Sequence, residues 1–229
     1  MKTSNKIFSF GFLISILFAI GALLFVKSNM IPTEQYHAIK EGAFISETRT
    51  IGEFDKLKSS SLRIELHYGE PALEVKADEN LMDKIVTEIK DGELYIGLEP
   101  GSYNNVHNAA KINLTTNNLK RIEAQGGANI FSADTFTFEK IDLEAHGGGN
   151  IKLEIQATDV NADAGGGGGV TLFGNITNLT SDIGGGGWLE AFDSNIKNAN
   201  MKVGGGGRAK VNAEALTRAK VSGLSLIHI

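Results

Sequence analysis

Blocks of glycine return through the second half of the chain, as "GGANI", "GGGNI", "GGGGGV", "GGGGWL" and "GGGGRA". The apolar residues that close them are Ile130, Ile151, Val170, Leu189 and Ala209, at intervals of 21, 19, 19 and 20 residues. A fixed period near twenty is the signature of stacked structural repeats. It limits the fold more than any local propensity does. Eight and six places before each marker stand Ile122/Ala124, Leu143/Ala145, Ala162/Ala164, Ser181/Ile183 and Met201/Val203. A spacing of two puts each pair on one face of a strand. Two places after the markers come Ser132, Leu153, Leu172, Ala191 and Val211. Each unit therefore reads as strand, glycine turn, strand, and then a polar loop such as "DVNA" or "NITNLTSD".

A unit this short cannot bury its own apolar face, but a stack of such units shares one core. The expected fold is all-β: a parallel β-helix with 19–21 residues per coil and neighbouring coils about 4.8 Å apart. Glycine supplies a positive φ at the turns and lets stacked turns approach closely. Of the 28 glycines, 18 lie in the five blocks. A disordered glycine linker would not alternate Ala, Ile, Val and Leu in register.

The first thirty residues are different. Lys2 and Lys6 precede "IFSFGFLISILFAIGALLFV", residues 7–26, which is uncharged, and Lys27 closes it. Twenty residues without a charge suit a bilayer core better than a signal-peptide h-region. Residues 1–27 read as a signal anchor, or as a signal peptide if cleaved. The chain would then be exported across a membrane. Its domain would be exported on a membrane anchor, or released to the periplasm or cell surface. Residues 28–48 read as a linker and 49–223 as the domain. Within that domain, "ENLMDKI" reads as a helical turn, Asp91-Gly92 as a hairpin turn and residues 101–110 as a loop. The last residues, 224–229, "LSLIHI", break the pattern and read as a truncated or misread end.

Setting aside the three lysines of residues 1–30 leaves 19 basic against 27 acidic residues, net −8. That balance argues against nucleic acid or anionic lipid as partner. There is no cysteine, hence no disulfide framework and no thiolate chemistry.

The stretch "FDKLKSSSLRIELHYGEPALEVKADENLMDKIVTEIKDGELYIGL", the strand "KINLTTNNLKRIEAQGGANI" and the recurring strand–glycine–strand unit together resemble the putative auto-transporter adhesin, head GIN domain family of bacterial exported proteins. The resemblance spans roughly residues 45–223. It implies a right-handed parallel β-helix of the pectin-lyase type, no recognised catalytic residues, and a role in adhesion. The turns "GGGGW" and "GGGGR" depart from the family's usual Gly-Ser-Gly-Asp/Asn pattern.

Stacking turns a sequence position into a line on the surface. Seven places before the markers stand Glu123, Glu144, Asp163 and Asp182, then Lys202. This file is a solvated charged face or, more sharply, a track for Ca²⁺, which favours carboxylate oxygens. It is the one cofactor-like expectation; no other cofactor is indicated. One place before the markers stand Asn129, Asn150, Gly169, Trp188 and Arg208. Trp188 is the chain's single tryptophan. It either covers bare glycine backbone or stacks a sugar ring, with Asn129, Asn150, Glu190 and Arg208 as polar neighbours. "GGGGRAK" lacks the Gly-Lys-Ser/Thr ending of a phosphate loop. His146 beside Glu144 reads as a turn residue rather than a base. His37, His67, His107 and His228 lack metal-ligand spacing.

The expected function is non-catalytic: a rigid surface presented to a glycan or to a cell-envelope protein. The alternatives are a polysaccharide-active enzyme using Glu144, Asp163 and Asp182, and a structural or sensory envelope component.

Overall fold

The computed structural model describes residues 36–37, 43–103 and 109–228. The segment 7–26, with its membrane expectation, lies outside them, as do His107 and the side chain of His37. No helix among the described residues is long and apolar enough to cross a membrane. The chain divides after His37. Of the first unit only β1 (Tyr36–His37) is described, and all that follows concerns the second.

In chain order the second unit contains β2 (Phe44–Arg49), β3 (Lys56–Ser60), β4 (Arg63–Tyr68), β5 (Ala72–Asp78), α1 (Glu79–Met82), β6 (Ile85–Lys90), β7 (Glu93–Leu98), β8 (Ser102–Tyr103) and β9 (Ala110–Thr116). Then come β10 (Arg121–Gln125), β11 (Asn129–His146), β12 (Asn150–Gly165), β13 (Gly169–Ile183), β14 (Trp188–Val203), β15 (Arg208–Val221) and β16 (Leu226–His228). The result is a β-solenoid of about six turns.

The repeat read from sequence is the register of the coils. Ile130 pairs with Ile151, then Val170, Leu189 and Ala209. All five are essentially buried. The preceding face stacks the same way, from Leu57 through Ile122, Leu143, Ala162, Ser181 and Met201. The expected polar loops are instead a third run of strand, because β11 to β14 continue around the corner without a break. In "NITNLTSD", Ile176 and Leu179 point inward and are buried, while the intervening polar residues face out. The polar residues dominate that stretch, so its apolar positions look sparse, yet two per coil suffice when each stacks on its neighbours. Amide ladders hold the outside of this run. Asn178 donates to Asp159 at 2.9 Å, Asn198 to Asn178 at 2.9 Å, and Asn195 to Asn175 at 3.0 Å.

Each glycine block is one tight turn. The first central glycine has φ of +53° to +60° and the second +77° to +86°. Two consecutive positive φ values define a type I′ turn, for which glycine pairs are favoured. The closing bonds are short, for example Gly168 N–H to Gly165 O at 3.0 Å and Gly187 N–H to Gly184 O at 2.8 Å. A third position is set by contact rather than torsion. A Cβ on Gly168 would lie 2.2 Å from the carbonyl oxygen of Ala145 in the coil beneath.

The N-terminal end is closed by a different structure. β2 pairs antiparallel with β5, and β5 antiparallel with β9, which joins β4 in parallel. On the neighbouring face β6 and β7 form an antiparallel hairpin through Asp91 and Gly92, both at positive φ. Residues 44–48, expected in the linker, are thus part of the sheet. β2 is an edge strand with its side chains largely exposed, so it carries no buried alternation to reveal it. α1 is the single helical turn read from "ENLMDKI"; the Asp78 side chain accepts the Asn80 N–H at 3.0 Å as its N-cap.

At the other end β16 pairs in parallel with β15, with Ile227 beside Ala209. The stacking pattern therefore runs through the segment that breaks the sequence pattern. Leu216, Val221 and Leu226 are exposed there.

Candidate functional site

Two outer faces carry the residues singled out in sequence. The acidic file is real as a register: Glu123 pairs with Glu144, Asp163, Asp182 and then Lys202 in successive strands. The expectation that all four point to solvent fails at Glu123, which is only 6% exposed. Lys58 lies 3.0 Å from it and the Gln125 amide donates to it, so neighbouring side chains fold over the carboxylate. The remaining members also have basic neighbours. Arg121 reaches Glu144 at 2.6 Å, His146 Nε2 lies 3.7 Å from Asp163, and Lys202 lies 2.5 Å from Asp182. His146 thus faces the next coil's Asp163 rather than Glu144. A hollow of about 440 Å³ follows this face from Glu144 to Lys220. Among the described residues no group of three or more His, Asp or Glu is placed to hold a metal ion.

The second face follows the glycine turns. On it β4, β11, β12, β13 and β14 lie side by side in parallel. Strand alternation turns the residue before and the residue after each marker outward. The column before the markers runs Arg63, Asn129, Asn150, Gly169, Trp188, Arg208. The Trp188 indole lies flat on Gly169, where a Cβ would stand 1.9 Å from its Cε2. The glycine is what makes room for the ring. Covering backbone and offering a ring face are therefore the same arrangement, since the half-buried indole keeps one side open.

Trp188 forms one end of a groove of about 590 Å³. Asn129, Asn150, Phe131, Lys152 and Arg63 line the rest of it. The two asparagines are fixed by their own turns: Asn129 donates to Gly127 O at 3.2 Å and Asn150 to Gly148 O at 3.0 Å. Asn150 also donates to Asn129 Oδ1 at 3.3 Å. The outer oxygen of Asn150 has no donor among the described residues, so it is a fixed open acceptor. The Arg63 guanidinium sits 4.7 Å from the centre of the Phe131 ring, and Lys152 Nζ sits 5.3 Å from that of Phe173.

Three of the five expected contact residues, Asn129, Asn150 and Trp188, line this one groove. Glu190 and Arg208 do not; Glu190 lies 3.6 Å from Lys210, and Arg208 pairs beyond Trp188 in β15. Arg63, Phe131 and Lys152 were not read from sequence. Phe131 and Lys152 stand one place after their markers, a column as regular as the one before. Arg63 belongs to β4, which has no glycine block to align it.

The chain's family model match covers residues 53–229, as putative auto-transporter adhesin, head GIN domain. Among solved structures, a putative adhesin from Bacteroides fragilis matches with a TM-score of 0.67 at 19% identity, over 84% of this chain and 98% of that one. A putative adhesin from Parabacteroides merdae matches with a TM-score of 0.62 at 17% identity, over 85% and 98%. A putative lipid binding protein from Parabacteroides distasonis matches with a TM-score of 0.58 at 18% identity, over 84% and 98%. No curated protein matches the chain in sequence. At these identities the structures speak for the fold alone, and the family rests on the match across most of the chain. The chain belongs to the putative auto-transporter adhesin, head GIN domain family.

Proposed function

We propose that the chain is a non-catalytic, adhesin-like protein of the bacterial cell envelope whose glycine-corner groove binds a glycan. The observation that carries this is Trp188 held flat on Gly169 beside the fixed amides of Asn129 and Asn150. A saccharide needs an aromatic plane for its apolar ring face and oriented polar groups for its hydroxyls. The groove has both, on a sheet whose register leaves them little freedom. The family name supports adhesion, and residues 7–26 would export or anchor the domain.

The acidic face does not favour glycoside hydrolysis. That chemistry needs one carboxylic acid kept protonated beside a second carboxylate, whereas Glu144 and Asp182 each sit against a cation, Arg121 and Lys202, and Asp163 faces the His146 ring. Calcium is a separate demand on the same file and is tested together with binding.

The test is a glycan-array screen of the full chain, with and without Ca²⁺, comparing wild type with Trp188→Ala. The expected result is a saccharide signal that the variant loses. Unchanged binding by Trp188→Ala would remove the groove from the account. A signal present only with Ca²⁺ would bring the acidic file into the site.

A further inference from the structure

We infer that the saccharide taken by this groove is an anionic one, a uronate or similarly acidic sugar; the inference rests on the glycan reading above. Two cations, Arg63 and Lys152, line the groove, and no carboxylate does. This is unusual on a domain, residues 49–223, with 18 basic and 24 acidic residues and a net charge of −6, where most cations on the same face are paired. Lys76 lies 2.9 Å from Glu74, Lys111 lies 2.8 Å from Glu65, and Lys210 lies 3.6 Å from Glu190. Neither Arg63 nor Lys152 has a carboxylate within ion-pair distance among the described residues; Arg63 acts on Glu65 of its own strand only through space, well behind the Lys111 contact that chiefly lowers that carboxyl. Each is held instead over an aromatic ring, at 4.7 Å and 5.3 Å. A cation on an aromatic face keeps its charge available and loses little freedom on meeting an anion.

The spacing also fits a chain of sugars. Arg63 and Lys152 stand on β4 and β12, two strands apart, which is about 10 Å. Trp188 on β14 is two strands further, so the groove's length is about 19 Å. That is room for several sugar units, with charge recognised at one end and a ring stacked at the other. The open Asn150 oxygen between them accepts a hydroxyl. Arg63 suits a carboxylate especially, because its planar fork matches the two oxygens.

The experiment is calorimetric titration of the full chain with oligogalacturonate and with its methyl ester, which has the same sugar backbone without the charge. The acid is expected to bind at least about tenfold more tightly than the ester, with the preference shrinking as salt is added. The double variant Arg63→Gln, Lys152→Gln should lose that preference and keep the wild-type unfolding midpoint. Trp188→Ala should weaken both ligands. If acid and ester bind equally and the double variant changes nothing, the anionic assignment is wrong while the glycan reading stands. If neither binds while the array still shows a saccharide signal that Trp188→Ala loses, the anionic assignment fails alone; if the array is silent as well, both fail. Tighter binding of an oligothymidylate than of either sugar would also overturn the assignment, in favour of a nucleic-acid strand on the same cations and rings.

Discussion

The N-terminal cap, residues 43–116, and the glycine coils from residue 121 onward solve one problem in two ways. The cap packs large side chains: Leu57, Leu62, Ile64, Leu66, Leu73, Leu94, Ile112 and Leu114 are all fully buried. Its strands run in mixed directions and are stitched by long side chains. Glu74 on β5 receives Ser46 from β2, Asn113 from β9 and its own neighbour Lys76, each at 2.9 Å. The coils run in one direction and repeat. Their inward columns mix large residues such as Ile151, Leu172 and Ile183 with small ones such as Ala145, Ala162, Ala164, Ala191 and Ala199, and their order comes from in-register ladders and tight turns. The cap is therefore held by irregular contacts that only a specific sequence supplies. The coils are held by a rule that any copy of the unit satisfies. The groove sits where the two meet, with Arg63 from the cap and Trp188 from the coils.

The comparison breaks first if core deletions act alike in both regions. Leu114→Ala should lower unfolding stability by about 4 kcal/mol, and Val203→Ala by about 2 kcal/mol, both read from denaturant midpoints. Equal losses would mean that the larger cap side chain contributes no more than the smaller coil one. A turn test follows. Gly168→Ala should lower stability by about 3 kcal/mol, because the new methyl meets the Ala145 carbonyl. Gly167→Ala meets nothing within 4 Å and should cost only the left-handed strain, about 1 kcal/mol. Similar costs at the two positions would show that the coils' spacing relaxes easily.

Acid should weaken the cap through its paired carboxylates. Hydrogen bonds from Lys76, Asn113 and Ser46 pull the Glu74 carboxyl down from 4.5 to about 2. A hydrogen bond from Lys120 lowers Asp55, and one from Lys111 lowers Glu65. A folded-state value below the unfolded one stabilises the fold above the unfolded value, and the effect disappears as pH falls through the folded one. For Glu74 that window is pH 4.5 down to about 2. Glu74→Gln should flatten the acid limb of the stability profile within it; an unchanged limb would mean the three contacts do not persist in solution. The smallest effect expected is at Ser59, whose buried hydroxyl has no partner among the described residues. Ser59→Ala should raise stability by up to about 1 kcal/mol, detectable as a small upward shift in midpoint.

The two regions also differ in how far the sequence discloses them. The coils were legible because their register equals their period: aligning Ile130 with Ile151 and Val170 aligns the strands themselves. The third strand of each coil was not, because Ile176 and Leu179 are outnumbered by the polar residues around them. In the cap the Asp91-Gly92 hairpin and the helical turn of "ENLMDKI" were legible locally, while the Asp78 cap of that turn showed only in the structure. β2 was not legible, since an exposed edge strand pairs through its backbone and leaves its side chains free of pattern. The site divided along the same line. Trp188, Asn129 and Asn150 share one column and were found together. Arg63 joins them only through the pairing of β4 with β11, a long-range contact that no period predicts. The burial of Glu123 was hidden for a similar reason, since Lys58 arrives from a strand outside the repeat.

The central claim is that the groove ending at Trp188 is a saccharide site, and the chain has a built-in reporter for it. Trp188 is its only tryptophan, so the intrinsic indole emission of the full chain comes from one wall of the groove. Titration with oligogalacturonate should change that emission saturably, with a midpoint equal to the calorimetric one. Binding detected by calorimetry with no change in emission would put the ligand elsewhere and contradict the account.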